Sequence, residues 1–121
     1  MTDPGQVMAT LDSYAREMDD LSRKLADVER RFEPVEARYE AFLDAHSVGL
    51  WEAHQDGQKL PGEDLRLRLA RRDMPADLLG EYSSLLHSRK RLERRISALA
   101  KAISAQQSIL SALKMEMEAV R

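Results

Sequence analysis

The densest reactive feature of the chain is a run of cations: Arg89, Lys90, Arg91, Arg94 and Arg95, with Arg66, Arg68, Arg71 and Arg72 a short way upstream. Clustered, solvated cations of this kind neutralise phosphates, and binding through them falls steeply with salt. Helical winding would spread these side chains around an axis, and no aromatic interleaves with them. The carboxylates of Glu29, Glu33, Glu36 and Glu40 offer partners within the same chain. The favoured reading is a solvated or ion-pairing face, with nucleic-acid or other anionic binding as the alternative.

Three histidines, His46, His54 and His87, together with Glu52 and Asp56, raise the question of a metal. Helical ligands sit at i and i+3 or i+4, whereas His46 and His54 are eight apart and point in different directions. No metal or other cofactor is expected. Carboxylates are plentiful but regularly spaced on outward faces, with no loops to converge two of them into an acid/base pair. There is no nucleophile elbow, no phosphate-cradling glycine loop and no cysteine, so the chain reads as a non-enzyme without a small-molecule substrate. Trp51, the single tryptophan, is either filler or the anchor of a binding hot spot.

The elements that carry these residues follow from the apolar spacing. Val7, Leu11, Tyr14, Met18, Leu21, Leu25, Val28, Phe32, Val35, Tyr39 and Phe42 alternate steps of four and three, a heptad stripe. A second stripe runs Leu78, Tyr82, Leu85, Arg89, Leu92, Ile96, Leu99, Ile103, Gln106, Leu110, Leu113, Met117 and Val120. A strict 3.5 period serves a helix only if the stripe faces a partner that winds with it. The stripes predict long helices over about residues 4–46 and 75–120, the first extending towards 55 through Val48, Leu50 and Trp51 to a turn at Asp56-Gly57. Pro34 should bend the first helix, since its ring clashes with the carbonyl of Arg30 while the heptad phase continues past it. Between the two, Glu63 and Asp64 open and Arg71 and Arg72 close a short helix over about residues 62–72, with the charges suited to its dipole.

The fold class expected is therefore all-α: one domain, an antiparallel hairpin of two long helices in a coiled coil, with the short helix closing the tip. Placing His46 beside Leu78 sets Tyr39 against Leu85, Phe32 against Leu92 and Leu11 against Leu113. Apolar residues beside the second stripe suit a larger bundle, so the hairpin should oligomerise, a dimer being favoured, along Ile96, Ile103, Ile109, Leu110, Leu113 and Met117. At the tip, Leu50, Trp51 and Leu60 are the candidates for meeting a protein partner.

Charge supports association within or between chains. Residues 1–58 carry 6 basic and 13 acidic side chains, residues 59–101 carry 11 and 6, and residues 102–121 carry 2 and 2. Such division suggests attraction between segments before it suggests nucleic acid. Without cysteine, an N-terminal signal or an apolar span of about 20 residues, the chain is expected in the cytoplasm and away from membranes.

The segments WEAHQDGQKLPGEDLRLRLARRDMP and RKRLERRISALAKAISAQQSILSALKMEMEA, over roughly residues 50–118, resemble small helical accessory proteins of actinobacterial bacteriophages. That resemblance implies a host-cytoplasm setting and an interaction role with a host or phage protein. It carries over no functional residue.

Overall fold

The computed structural model describes residues 3–54 and 59–120, which form three α-helices and, among the described residues, no strand. They are α1 (Pro4–Ala53), α2 (Glu63–Asp73) and α3 (Ala76–Ala119). Asp56 and Gly57, read as the end of the first helix, lie outside the described residues, as does Gln55.

Each helix end has a local cause. At the start of α1 the Asp3 carbonyl accepts from Gln6 N–H at 3.0 Å and Val7 N–H at 3.1 Å, and its carboxylate accepts from Gly5 N–H at 3.3 Å. Pro4 occupies the first turn, where its missing N–H costs nothing. At the other end His54 Nδ1 lies 2.6 Å from the Leu50 carbonyl oxygen, which can only accept, so the proton sits on Nδ1 and closes the last turn. Pro34 is exposed and α1 runs on through it. In α2, Glu63 and Asp64 lie in the first turn and Arg71 and Arg72 in the last, each charge opposite in sign to the helix end it occupies. Met74 then turns extended, with ψ 140°, because Pro75 crowds the helical conformation of the residue before it.

The chain forms two compact units: residues 1–27 with 89–121, and residues 28–88. In the second unit Phe32, Val35, Tyr39, Met74, Leu78 and Leu85 form a buried cluster, flanked by the partly buried Phe42, Leu43, Leu79, Tyr82 and Leu86. Tyr82 is its hinge pin. Its ring stacks on Tyr39 at 3.7 Å with planes 4° apart and meets Phe32 at 5.3 Å and 34°. Tyr82 thus meets Tyr39 and Phe32, the residues that the expected placement set against Leu85 and Leu92. The meeting of the three rings is a gain of about 0.5–1.5 kcal/mol per pair beyond area burial.

In the first unit Val7, Leu21, Leu92 and Leu99 are buried, and Leu11, Tyr14, Met18, Leu25, Ile96, Ile103, Gln106, Leu110 and Leu113 are half-buried. Every position of the first stripe is therefore at least partly covered. The second stripe is covered only as far as Leu113: Met117 and Val120 remain 56% and 87% exposed, so the expectation of coverage out to Val120 is corrected. No helix among the described residues is long and apolar enough to cross a membrane.

Candidate interaction surface

Two polar contacts tie α2 to α1, and a third, within α2, orients one of them. Arg71 Nε donates to the Tyr39 hydroxyl at 3.1 Å. His46 Nε2 meets Asp73 Oδ2 at 2.9 Å, and Arg72 Nε donates to the other oxygen, Oδ1, at 3.1 Å. Asp73 is the junction. Hydrogen bonds from His46, then from Arg72, hold its carboxyl below the ordinary carboxylate range, and the positive charges nearby add to that while partial burial opposes it.

Beside this junction a shallow groove of about 270 Å³ opens between α1 and α2, with Leu43, Ser47, Leu67 and Ala70 among its lining and Asp44, Glu63 and Arg66 at its polar side. The Nε of Arg66 is shut off from water and has no hydrogen-bond partner. One turn beyond Ser47, Trp51 is 65% exposed, and Val48, Leu65 and Leu67 are exposed as well. On the last turns of α1 this large apolar ring is left mostly in water, where it gains little from burial.

The other residues singled out from the sequence fall as follows. Leu50 and Leu60 are half-buried, flanking Trp51 in sequence rather than sharing its exposure. Arg68, Arg71 and Arg72 are exposed and Arg66 half-buried, all in the unit of residues 28–88. Lys90, Arg91, Arg94 and Arg95 are exposed, and Arg89, half-buried, pairs with Glu93 at 3.6 Å, all in the other unit. The basic residues thus divide between two units, and Arg71, Arg72 and Arg89 have partners inside the chain. Ile96, Ile103, Leu110 and Leu113 are half-buried, whereas Ile109 and Met117 are exposed. Among the described residues no three His, Cys, Asp or Glu side chains converge as metal ligands. One ring nitrogen of each of His46 and His54 is engaged, Nε2 of His46 with Asp73 and Nδ1 of His54 with the Leu50 carbonyl.

The Tyr39–Arg71 and His46–Asp73 contacts were not foreseen from the sequence. Tyr39 and His46 share one helical stripe seven residues apart, and Arg71 and Asp73 alternate at the close of α2, but nothing local says that the two pairs meet. No family model, curated protein or solved structure matches the chain.

Proposed function

We propose that the chain is a non-enzymatic interaction protein: an antiparallel helical hairpin in which α1 and α3 pair as a coiled coil and α2 closes the tip that meets a protein partner. The observation that carries it is the 65% exposure of Trp51 on the last turns of α1, beside the groove floored by Leu43 and Leu67. Tryptophan anchors binding hot spots because a rigid, mostly apolar ring gains much from desolvation at little entropic cost. The antiparallel pairing is supported by the composition of the two units. Each joins one half of α1 to the opposite half of α3, residues 1–27 with 89–121 and the remainder within 28–88. If the level at which Tyr82 packs extends along both helices, Leu11 falls opposite Gln106 and Val7 opposite Leu110, and the last turns of α3 would run past the start of α1, in keeping with the exposure of Met117 and Val120.

The resemblance to phage accessory proteins adds a host-cytoplasm setting and a host or phage protein as partner. Trp51→Ala tests the tip directly. The variant should keep its melting curve, since an exposed ring contributes within about 0.5 kcal/mol, and should lose a partner captured by the wild type from actinobacterial lysate. A melting temperature that drops by several degrees while capture persists would make Trp51 filler. As the only tryptophan it also reports its own environment: water-like emission, readily quenched in the free protein, should shift to the blue when the partner covers it.

A further inference from the structure

The longest uncharged run in the chain lies on α3, twelve residues from Ala102 to Leu113, in a protein of which 33% is charged. Ile103, Gln106, Leu110 and Leu113 turn inward and are half-buried, but Ser104, Ser108, Ser111 and Met115 lie on the outward face and are exposed, Met115 to 70%. A solvated helix face is ordinarily charged; this one is not, and an open groove runs along it. Its hydroxyls are partly spent within the helix, for Ser108 Oγ donates to the Ser104 carbonyl at 3.1 Å, so covering the face leaves fewer polar groups unsatisfied. The charges bracketing it have opposite signs, Arg94 on the amino-terminal side and Glu118 on the carboxy-terminal side, both exposed.

We infer that this face binds a second copy of the chain, α3 against α3 in antiparallel order about a two-fold axis near Gln106. The outward positions Arg94, Ser97, Lys101, Ser104, Ser108, Ser111, Met115 and Glu118 advance by three and four residues in a sequence that reads the same in both directions, and the one charge between its ends, Lys101, falls against the partner's Ser111, where its long side chain can reach out to water. Reversing one copy therefore sets Ser104 against the partner's Ser108, and Met115 over the partner's Ser97. Arg94 meets the partner's Glu118, and the axis makes that ion pair twice. A parallel pairing would instead set like charges together. Small residues at the centre let the backbones approach, while Met115 supplies the apolar cover at each end, over a contact about 36 Å long. This is a different face from the Ile96, Ile103, Leu110 and Leu113 stripe, which the proposed hairpin already occupies.

The proposal rests on the hairpin reading, which fails on its own account if neither Leu11→Cys with Gln106→Cys nor Leu11→Cys with Leu113→Cys closes a disulfide within one chain. Sedimentation equilibrium of the full chain should show a monomer rising to a dimer with concentration. Ser108→Glu should hold it monomeric with unchanged helicity, Met117→Glu should leave the dimer intact, and Trp51→Ala should not affect it. Glu118→Arg should weaken the dimer at least tenfold, and adding Arg94→Glu should restore it. A wild type monomeric at every concentration, a Ser108→Glu dimer as tight as wild type, a dimer broken by Met117→Glu instead, or charge reversal without rescue would each overturn it.

Discussion

Asp73 holds two partners at once, His46 through one oxygen and Arg72 through the other, and its side chain is half open to water. Its carboxyl ionises at lower pH in the folded chain than in the unfolded one. Its contribution to stability is therefore complete above the ordinary carboxylate range and is lost as pH falls through the lowered folded value. Asp73→Asn should consequently melt below the wild type at pH 6, the gap closing as pH is taken from about 5 towards 2 and narrowing in high salt, as solvent-exposed pairs do. A gap independent of pH would mean that geometry rather than charge holds the junction. Tyr39 presents a separate case, because its ring is buried in the aromatic stack while its hydroxyl takes the Arg71 hydrogen bond. Tyr39→Phe keeps the stack and removes that bond. Urea unfolding should place the loss at about 1 kcal/mol, the usual net value of one such bond.

The long helices were legible because their cause is local and repeated. Each three- or four-residue step from Val7 to Phe42 brings an apolar side chain to the same line, and every one of those positions is buried or half-buried. The ends of α2 were legible for a similar reason, since Glu63, Asp64, Arg71 and Arg72 are placed by the helix's own dipole. The level at which stripes meet was not. A heptad repeat fills its layers equally well after a slip of seven, so the choice falls to a few bulky residues, and here Tyr82 settles between Tyr39 and Phe32. Tyr82→Ala should then cost about 3 kcal/mol by urea midpoint, in the range of aromatic truncations in a core, far more than Tyr39→Phe. The interaction surface was legible in part: Trp51 stood out by type, but how α2 is fastened next to it depends on single polar contacts between distant positions. Pro34 offers a converse test at the level of the element. It is exposed within a continuous helix and withholds one N–H, so Pro34→Ala should raise stability by up to about 3 kcal/mol, the interior proline penalty. A loss instead would show that Pro34 is built into the packing around Phe32 and Val35.

At the scale of the molecule the question is which parts of the two long helices pair, and the absence of cysteine makes it directly testable. If the register set by Tyr82 extends along both helices, the proposed hairpin brings residues together whose numbers add to about 117, so Leu11 meets Gln106. The earlier placement of His46 beside Leu78 would bring Leu11 to Leu113 instead. Two otherwise cysteine-free variants separate these. Leu11→Cys with Gln106→Cys should oxidise readily to a monomeric cross-linked species, because facing seam positions bring Cβ atoms within the few ångströms a disulfide demands. Leu11→Cys with Leu113→Cys should stay reduced or cross-link only between chains, since a heptad offset separates the pair by about 10 Å along the axis. The same register predicts which end of α3 is loosest. Within the proposed hairpin the helix has no facing partner beyond Leu113, so in the monomer, at low concentration, its amides there should exchange fastest among those of α3, while those near Leu85 and Leu92, which are buried, should exchange slowest. Uniform protection to Val120 would mean that the exposed Met117 and Val120 are covered in solution, and by a contact other than the serine-lined outer face.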